Sequence, residues 1–304
     1  MRDVYVLFTT DCEPARDDVT PHALAMSASG PLDYAESERS IRAFVAAVGA
    51  RGFPVTVFAH PEVAEAHRDM LLGLQADGAC LGLHLHPYKL RGAAYRRDLG
   101  LYTAAEQRAM LGEAVATWER ALDQRPLYFR AGYFSANDST FGVLSELGFR
   151  GGSLSNPGRV LPTHGSVWAG AETYPHRAHL GFRQLAGDSD FVEIPVSVAF
   201  GRPMEVGEAG ERGFEWPYVP ASKYDHEAVI RDVLERVAND APRFGTVVAD
   251  THNDQDYAEP AHPASVNLAR ILDALAARSV ELGLRPVGCT VADLCERVLA
   301  DPMR

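Results

Sequence analysis

Short apolar runs alternate along this chain with longer stretches in which apolar residues recur every three or four positions. Residues 4–10 read Val-Tyr-Val-Leu-Phe-Thr-Thr, rich enough in β-branched and aromatic types for a buried strand. Ile41, Phe44, Val45 and Val48 then keep helical spacing, and Gly52 stops that helix. Residues 54–59 form a second strand, and Pro61 suits the first turn of a helix ending near Gly78. A third strand over 80–83 runs into His84 and His86. Thr103 and Glu106 form a capping box, followed by Leu111, Val115, Trp118 and Leu122 on one stripe. Strands at 127–130 and near Phe149 flank a short helix at 139–147.

The regularity then falters. Residues 152–187 are rich in Gly, Pro, His and Ser and read as loop with short strands. Residues 191–198 are strand-like, with Pro195 at a bulge or edge. Residues 201–224 are a second irregular segment. A helix through Val229, Val233, Leu234 and Val237 restores the pattern. A buried strand over 245–250 then delivers Thr251 and His252. A helix through Leu268, Ile271, Leu272 and Leu275, a strand at 285–290 and a helix at 291–299 complete the chain.

Such alternation predicts parallel pairing through right-handed crossovers. The expectation is an α/β chain, one domain over 1–304. It would be an irregular (β/α) barrel of about seven parallel strands, with insertions at about 152–187 and 201–224 and chemistry at the C-terminal strand ends. A doubly wound open sheet is the alternative. No Gly-x-Gly-x-x-Gly follows the first strand, so a dinucleotide site is unsupported.

Composition narrows the partners. The net charge is −12 and no Lys/Arg cluster stands out, which argues against a nucleic-acid groove or an anionic membrane surface. No apolar run approaches the length of a membrane span. Met1-Arg2-Asp3 leads directly into a strand without the pattern of a secretory signal, so a cytoplasmic location is expected. Cys12, Cys80, Cys289 and Cys295 are scattered, with no Cys-x-x-Cys pair, which fits reduced thiols.

Candidate chemistry sits at two strand ends. Asp11 and Glu13 are separated by two positions, as are His84 and His86, so each pair faces one side of an extended strand. Two imidazoles and one carboxylate are a common open ligand set for a catalytic divalent ion, with the other carboxylate left as a base. Cys12, between them, points to the opposite face and into the core. Arg130 and His252 also fall at strand ends.

These stretches resemble the polysaccharide deacetylases of the carbohydrate esterase 4, or NodB-homology, type, over roughly the first 260 positions. Residues 9–14, Thr-Thr-Asp-Cys-Glu-Pro, resemble the first family motif, which implies Asp11 as base and Glu13 as metal ligand. Residues 81–87 resemble the second, implying His84 and His86 as ligands, although the family spaces its two histidines four apart. Residues 128–133, Tyr-Phe-Arg-Ala-Gly-Tyr, resemble the third, whose arginine pairs with the base, so Arg130 would hold Asp11 ionised. Residues 247–252 resemble the last, implying His252 as general acid. The fourth motif, an Asp followed by a Trp, has no counterpart near residues 150–153. Asp250 or Asp254 is the substitute partner for His252.

The resemblance implies one divalent cofactor, zinc first, with nickel, cobalt or iron able to use the same ligands. The backbone amide of Tyr133 would help to stabilise the oxyanion. Asp250 and Trp216 are further substrate-binding candidates. Phe214, Trp216 and Tyr218 read either as a sugar-stacking lid or as an insertion packing on itself or on a second subunit of a homo-oligomer. The implied activity is removal of an N-acyl group, most often acetyl, from a small-molecule or glycan substrate. The alternatives are a cyclic amide or ureide hydrolase of the same fold and an inactive carbohydrate-binding homologue. The remaining histidines, His22, His60, His67, His164, His176, His179, His226 and His262, are read as surface or loop residues.

Overall fold

The computed structural model describes residues 1–16, 30–90, 95–206 and 210–302. His22 and most of the polar loop expected before Asp33 lie outside them. The first half alternates strand and helix: β1 (Arg2–Cys12), α1 (Tyr34–Gly49), β2 (Val55–Ala59), α2 (Pro61–Ala66), α3 (Arg68–Ala76), β3 (Cys80–Leu85), α4 (Ala104–Leu122), β4 (Tyr128–Ala131) and α5 (Thr140–Glu146). Short strands follow: β5 (Gly151–Gly152), β6 (Val160–Leu161), β7 (Ser166–Val167), β8 (His176–Arg177), β9 (Val192–Glu193), β10 (Ala199–Glu205) and β11 (Arg212–Glu215). The alternation returns with α6 (His226–Asp240), β12 (Thr246–His252), α7 (Pro263–Glu281), β13 (Leu284–Gly288) and α8 (Val291–Ala300).

The main sheet is curled and dominated by parallel pairs, in the order β12-β1-β2-β3-β4-β5-β9-β8, with only β8 antiparallel. β1 is its axis. One edge pairs with β12, and the other pairs with β13 along its first half and β2 along its second. Covered on both faces, the second half of β1 is continuously buried, as parallel central strands are. The space between β9 and β12 is bridged by a side chain. Ser197 Oγ donates to the Thr246 carbonyl at 3.0 Å and accepts from the Val248 N–H at 3.0 Å. Further along, residues 217–219 lie beside β12, with Val219 N donating to Asp250 O at 3.0 Å. The expected irregular parallel barrel is thus the fold observed.

Local signals explain most elements. Thr103 and Glu106 make the capping box at the start of α4, and Leu111, Val115, Trp118 and Leu122 are all buried. Three expectations change. The helix expected over 61–78 is two helices broken at His67, whose φ of −117° is not helical. The strand expected over 191–198 is regular only at Val192–Glu193, although Ile194 N and Val196 N, on either side of Pro195, still donate to Gly152 O at 2.9 Å and Ser155 O at 3.0 Å. The irregular segments 152–187 and 201–224 are not separate loops. They contribute β6, β7, β10 and β11 to one antiparallel sheet, joined where Arg212 pairs with Val160.

Glu193 ties β9 to the segment after β5. Its Oε1 accepts from Leu154 N at 2.9 Å, Ser155 N at 2.8 Å and Ser155 Oγ at 2.8 Å. Its Oε2 is buried and unpartnered. Burial pushes this carboxyl up to about 7 against the pull of those hydrogen bonds and of Arg130. An acid whose pKa is higher folded than unfolded binds more protons in the native state, so stability falls as pH rises from its ordinary value through about 7. Glu193→Gln should remove that component, on the order of 3 kcal/mol. Urea unfolding of both proteins between pH 4.5 and 8 checks this, and parallel curves would refute it.

Candidate metal and catalytic site

Parallel register assembles the site. Asp11 on β1 is level with His252 on β12, and His84 on β3 with Arg130 on β4. Glu13 and His86 follow at the exits of their strands. All four of Asp11, Glu13, His84 and His86 are buried. Glu13, His84 and His86 each offer a donor atom, all lying within 4.8 Å of one another. Asp11, His252, Tyr133, Trp216 and Asp250 line the same cavity of about 220 Å³.

The donors are prepared for a cation. His84 Nδ1–H donates to the Arg130 carbonyl at 3.1 Å, which leaves Nε2 as the lone-pair nitrogen. That Nε2 is buried and has no partner, the condition of an atom that awaits a ligand. His86 has the Tyr88 hydroxyl 2.8 Å from Nδ1 and turns Nε2 to Glu13 Oε1 at 3.2 Å. Burial pushes both imidazoles below their usual range and so keeps them neutral, as metal ligation requires. Burial also opposes ionised Glu13, but the contact with His86 Nε2 and the Lys89 ammonium outweigh it and hold that carboxyl well below its usual range. The residues therefore fit one divalent ion.

Supports that the sequence analysis did not identify hold these groups. Asn253 clamps the Glu13 backbone: its Oδ1 accepts from Glu13 N at 2.9 Å and its Nδ2 donates to Glu13 O at 3.0 Å. The same Nδ2 reaches Ser37 Oγ at 2.8 Å, and His67 Nε2 lies 3.0 Å from that hydroxyl. Lys89 Nζ donates to Glu13 Oε2. Arg159 lines the cavity as well. None has a local motif, because each partner is remote in sequence.

Arg130 crosses the barrel interior. Nη1 donates to Thr9 Oγ1 at 2.8 Å and Asp11 Oδ1 at 3.1 Å; Nε and Nη2 reach the carbonyl and hydroxyl of Ser153 at 3.1 and 2.9 Å. Its guanidinium lies 4.6 Å from the centre of the Phe58 ring. Gly82 makes room for that ring, since a Cβ there would lie 2.5 Å from Phe58 Cδ1. The stretch near 150–153 thus meets Arg130 through Ser153. Arg130 lowers the Asp11 carboxyl as expected, but burial is the larger effect and raises it to about 6.

Burial pushes the His252 imidazole down, yet Glu13, Asp11, Asp254 and Asp250 together outweigh it and hold it above its usual range. Neither Asp250 nor Asp254 hydrogen-bonds the ring. The Tyr218 hydroxyl does, 3.2 Å from Nδ1, while Asp250 accepts from Trp216 Nε1–H at 2.7 Å. Trp216 and Tyr218 stack with centroids 5.2 Å apart on the cavity wall, whereas Phe214 packs on Phe200 inside the small sheet. Cys12 is buried in the core.

Several histidines read as surface or loop residues are buried: His60 and His67, which do lie between elements, and His226, which opens α6. His164 pairs with Asp98 at 2.9 Å and stacks on Tyr133 at 4.3 Å between ring centres. Tyr133 and Phe134 adopt φ of 55° and 54°, a strained region for non-glycine residues. Trp168 Nε1–H braces the turn by donating to the Phe134 carbonyl at 2.7 Å.

Gly132 before that turn has a steric reason. A Cβ there would lie 2.1 to 2.4 Å from the His86 ring. Gly132→Ala should displace His86 and weaken zinc binding about 10- to 100-fold in a chelator competition. Unchanged affinity would show that His86 is not a ligand. Arg130→Met should lower stability by roughly 3–5 kcal/mol, because it strands a buried carboxylate. Denaturant titration measures this, and a loss below about 1 kcal/mol would refute the dependence of Asp11 on Arg130.

No family model matches the chain, and no curated protein matches it. Solved structures do. A Mycobacterium smegmatis protein assigned as a polysaccharide deacetylase is 18% identical with a TM-score of 0.61, covering 98% of this chain and 91% of its own. Puue allantoinase is 16% identical with a TM-score of 0.60, covering 99% and 92%. A Pseudomonas aeruginosa PAO1 protein assigned as a polysaccharide deacetylase is 15% identical with a TM-score of 0.57, covering 96% and 90%. The chain therefore has the NodB-like β/α-barrel fold of polysaccharide deacetylases, a fold it shares with an allantoinase.

Proposed function

We propose that this protein is a metal-dependent hydrolase that cleaves an amide C–N bond, removing an N-acyl group, acetyl first, from a sugar or a small glycan intermediate. The observation that carries the reading is the convergence of two neutral imidazoles and an ionised carboxylate, one imidazole nitrogen unpartnered, beside a second buried carboxylate and a third imidazole. Glu13, His84 and His86 would hold the ion, zinc in the first instance. Such an ion, when bound, polarises an acyl carbonyl and acidifies water.

The chain's own residues have distinct tasks. Asp11 takes a proton from the attacking water. Burial has brought this carboxyl to about 6, closer to neutral pH, where a base works well. Arg130 holds Asp11 in place and keeps part of its charge. The Tyr133 backbone N–H donates to the oxyanion as the carbonyl becomes tetrahedral. His252, held by Tyr218 through Nδ1, gives its Nε2 proton to the leaving nitrogen. Trp216 and Asp250 form the wall against which the substrate rests.

A second reading keeps this chemistry and changes the substrate to a cyclic amide or ureide. The cavity of about 220 Å³ favours it, being small beside the usual 300–1,000 Å³ of ligand sites. In both readings the substrate is a small molecule and not a polymer threaded through a groove. No helix among the described residues is long and apolar enough to cross a membrane.

The test is reconstitution with zinc, cobalt, nickel or iron, followed by assays on N-acetyl sugars and cyclic ureides. One class should be turned over in a metal-dependent manner. Asp11→Asn and His252→Ala should each lower kcat by about 10²- to 10⁴-fold with metal content unchanged. Failure to bind any divalent ion, or full turnover in both variants, overturns the assignment.

A further inference from the structure

Arg159 is a buried cation beside the proposed catalytic groups with no anion of its own. It lies ahead of β6 and is 5% exposed. Its guanidinium sits 5.1 Å from the centre of the Phe134 ring and 4.9 Å from that of Trp216. Among the described residues its one side-chain hydrogen bond is long, Nη1–H to the Tyr133 carbonyl at 3.4 Å. Among the described residues no carboxylate lies within ion-pair distance of it. Arg130, equally buried, is the contrast, with Thr9, Asp11 and Ser153 meeting all three of its nitrogens.

Burying a guanidinium is costly unless it is paired. Contacts with two aromatic faces recover part of that cost, but a ring face offers no lone-pair acceptor, and beyond the long bond to Tyr133 they leave the N–H groups without one. Those groups belong to a residue lining the cavity that also holds Asp11, Glu13 and His252. The placement depends on both insertions. Arg159 comes from the first and Trp216 from the second, and the pairing of Val160 with Arg212 brings them together.

We propose that Arg159 is a specificity residue that binds a carboxylate of a small substrate, held between Phe134 and Trp216, so that the scissile amide faces Asp11 and His252. This rests on the amide-hydrolase reading above. A planar fork of donors matches a carboxylate in two parallel hydrogen bonds. A monoanion suits the site better than a phosphate, because Asp11, Glu13 and Asp250 line the same cavity and one guanidinium balances one charge. Burial lowers the guanidinium only to about 10, so it stays charged at neutral pH.

The experiment is calorimetric titration of the zinc-loaded Asp11→Asn protein, in which turnover is suppressed, with matched probes: N-acetylglycine against N-acetylglycinamide, and ureidoacetate against ureidoacetamide. At least one acid should bind about 10-fold or more tightly than its amide. Adding Arg159→Gln should bring that ratio to about one, and Arg159→Lys should restore part of it. A merely structural arginine would weaken acid and amide alike. Equal binding of acid and amide, no binding of either acid, or a ratio that survives Arg159→Gln overturns the proposal. If Arg159→Gln does not fold, the ratio in its absence and the Arg159→Lys protein decide the matter. Carboxylate preference without turnover in the zinc-loaded native protein would leave the anion site standing and remove the hydrolase reading. Turnover without that preference would do the reverse.

Discussion

The buried guanidinium of Arg130 is the contact on which the site depends. It starts on β4, crosses the face of Phe58, and ends on Thr9 and Asp11 of β1, with Ser153 beyond β5 receiving its other edge. Its carbonyl orients His84. One residue thus links four strands of the curled sheet and sets both the charge beside Asp11 and the tautomer of an imidazole. Such a group is tolerated only because every polar edge is met; a half-satisfied network at this depth would cost more than an apolar core.

Around that centre the barrel supplies two kinds of support. Strand register brings Asp11 level with His252 and His84 level with Arg130, which needs only the backbone ladder. The second kind is made by side chains from exits and loops. Asn253 imitates a strand partner for Glu13, Tyr88 backs His86, and Asp98 with His164 backs Tyr133. The strained turn at Tyr133 and Phe134 sits where these supports converge. Strain there is bearable because Trp168 and the His164 stack over-determine the conformation.

The two irregular segments change the character of the site. A bare parallel barrel would leave its strand ends open. Here β6, β7, β10 and β11 form a second sheet, and the chain after β11 brings Trp216 and Tyr218 onto the cavity wall beside Arg159. The cavity becomes small, aromatic on one side and charged on the other. The strand ends thus supply the titratable groups of the cavity, and this added wall supplies Arg159, Trp216 and Tyr218.

The sequence by itself determined the β/α alternation and the placing of the pairs Asp11/Glu13 and His84/His86 at strand ends, each pair on one face; that Arg130 and His252 belong beside them was read from the family resemblance, and the structure brings all six together. Those signals are local: a period of two at a strand end, a capping box, an apolar stripe. Cys12 could be turned into the core on the same ground. Only the tertiary structure decided that Tyr218 meets His252 where an acid was expected, that Asn253 and Lys89 hold Glu13, and that Arg159 is buried without an anion. It also decided that the two loosely patterned segments are one sheet, which pairs Val160 with Arg212 across 51 intervening residues. The reason is physical. Periodicity records which face a residue shows, but the partner on that face is chosen by packing between segments far apart in the chain, and no local pattern carries that choice.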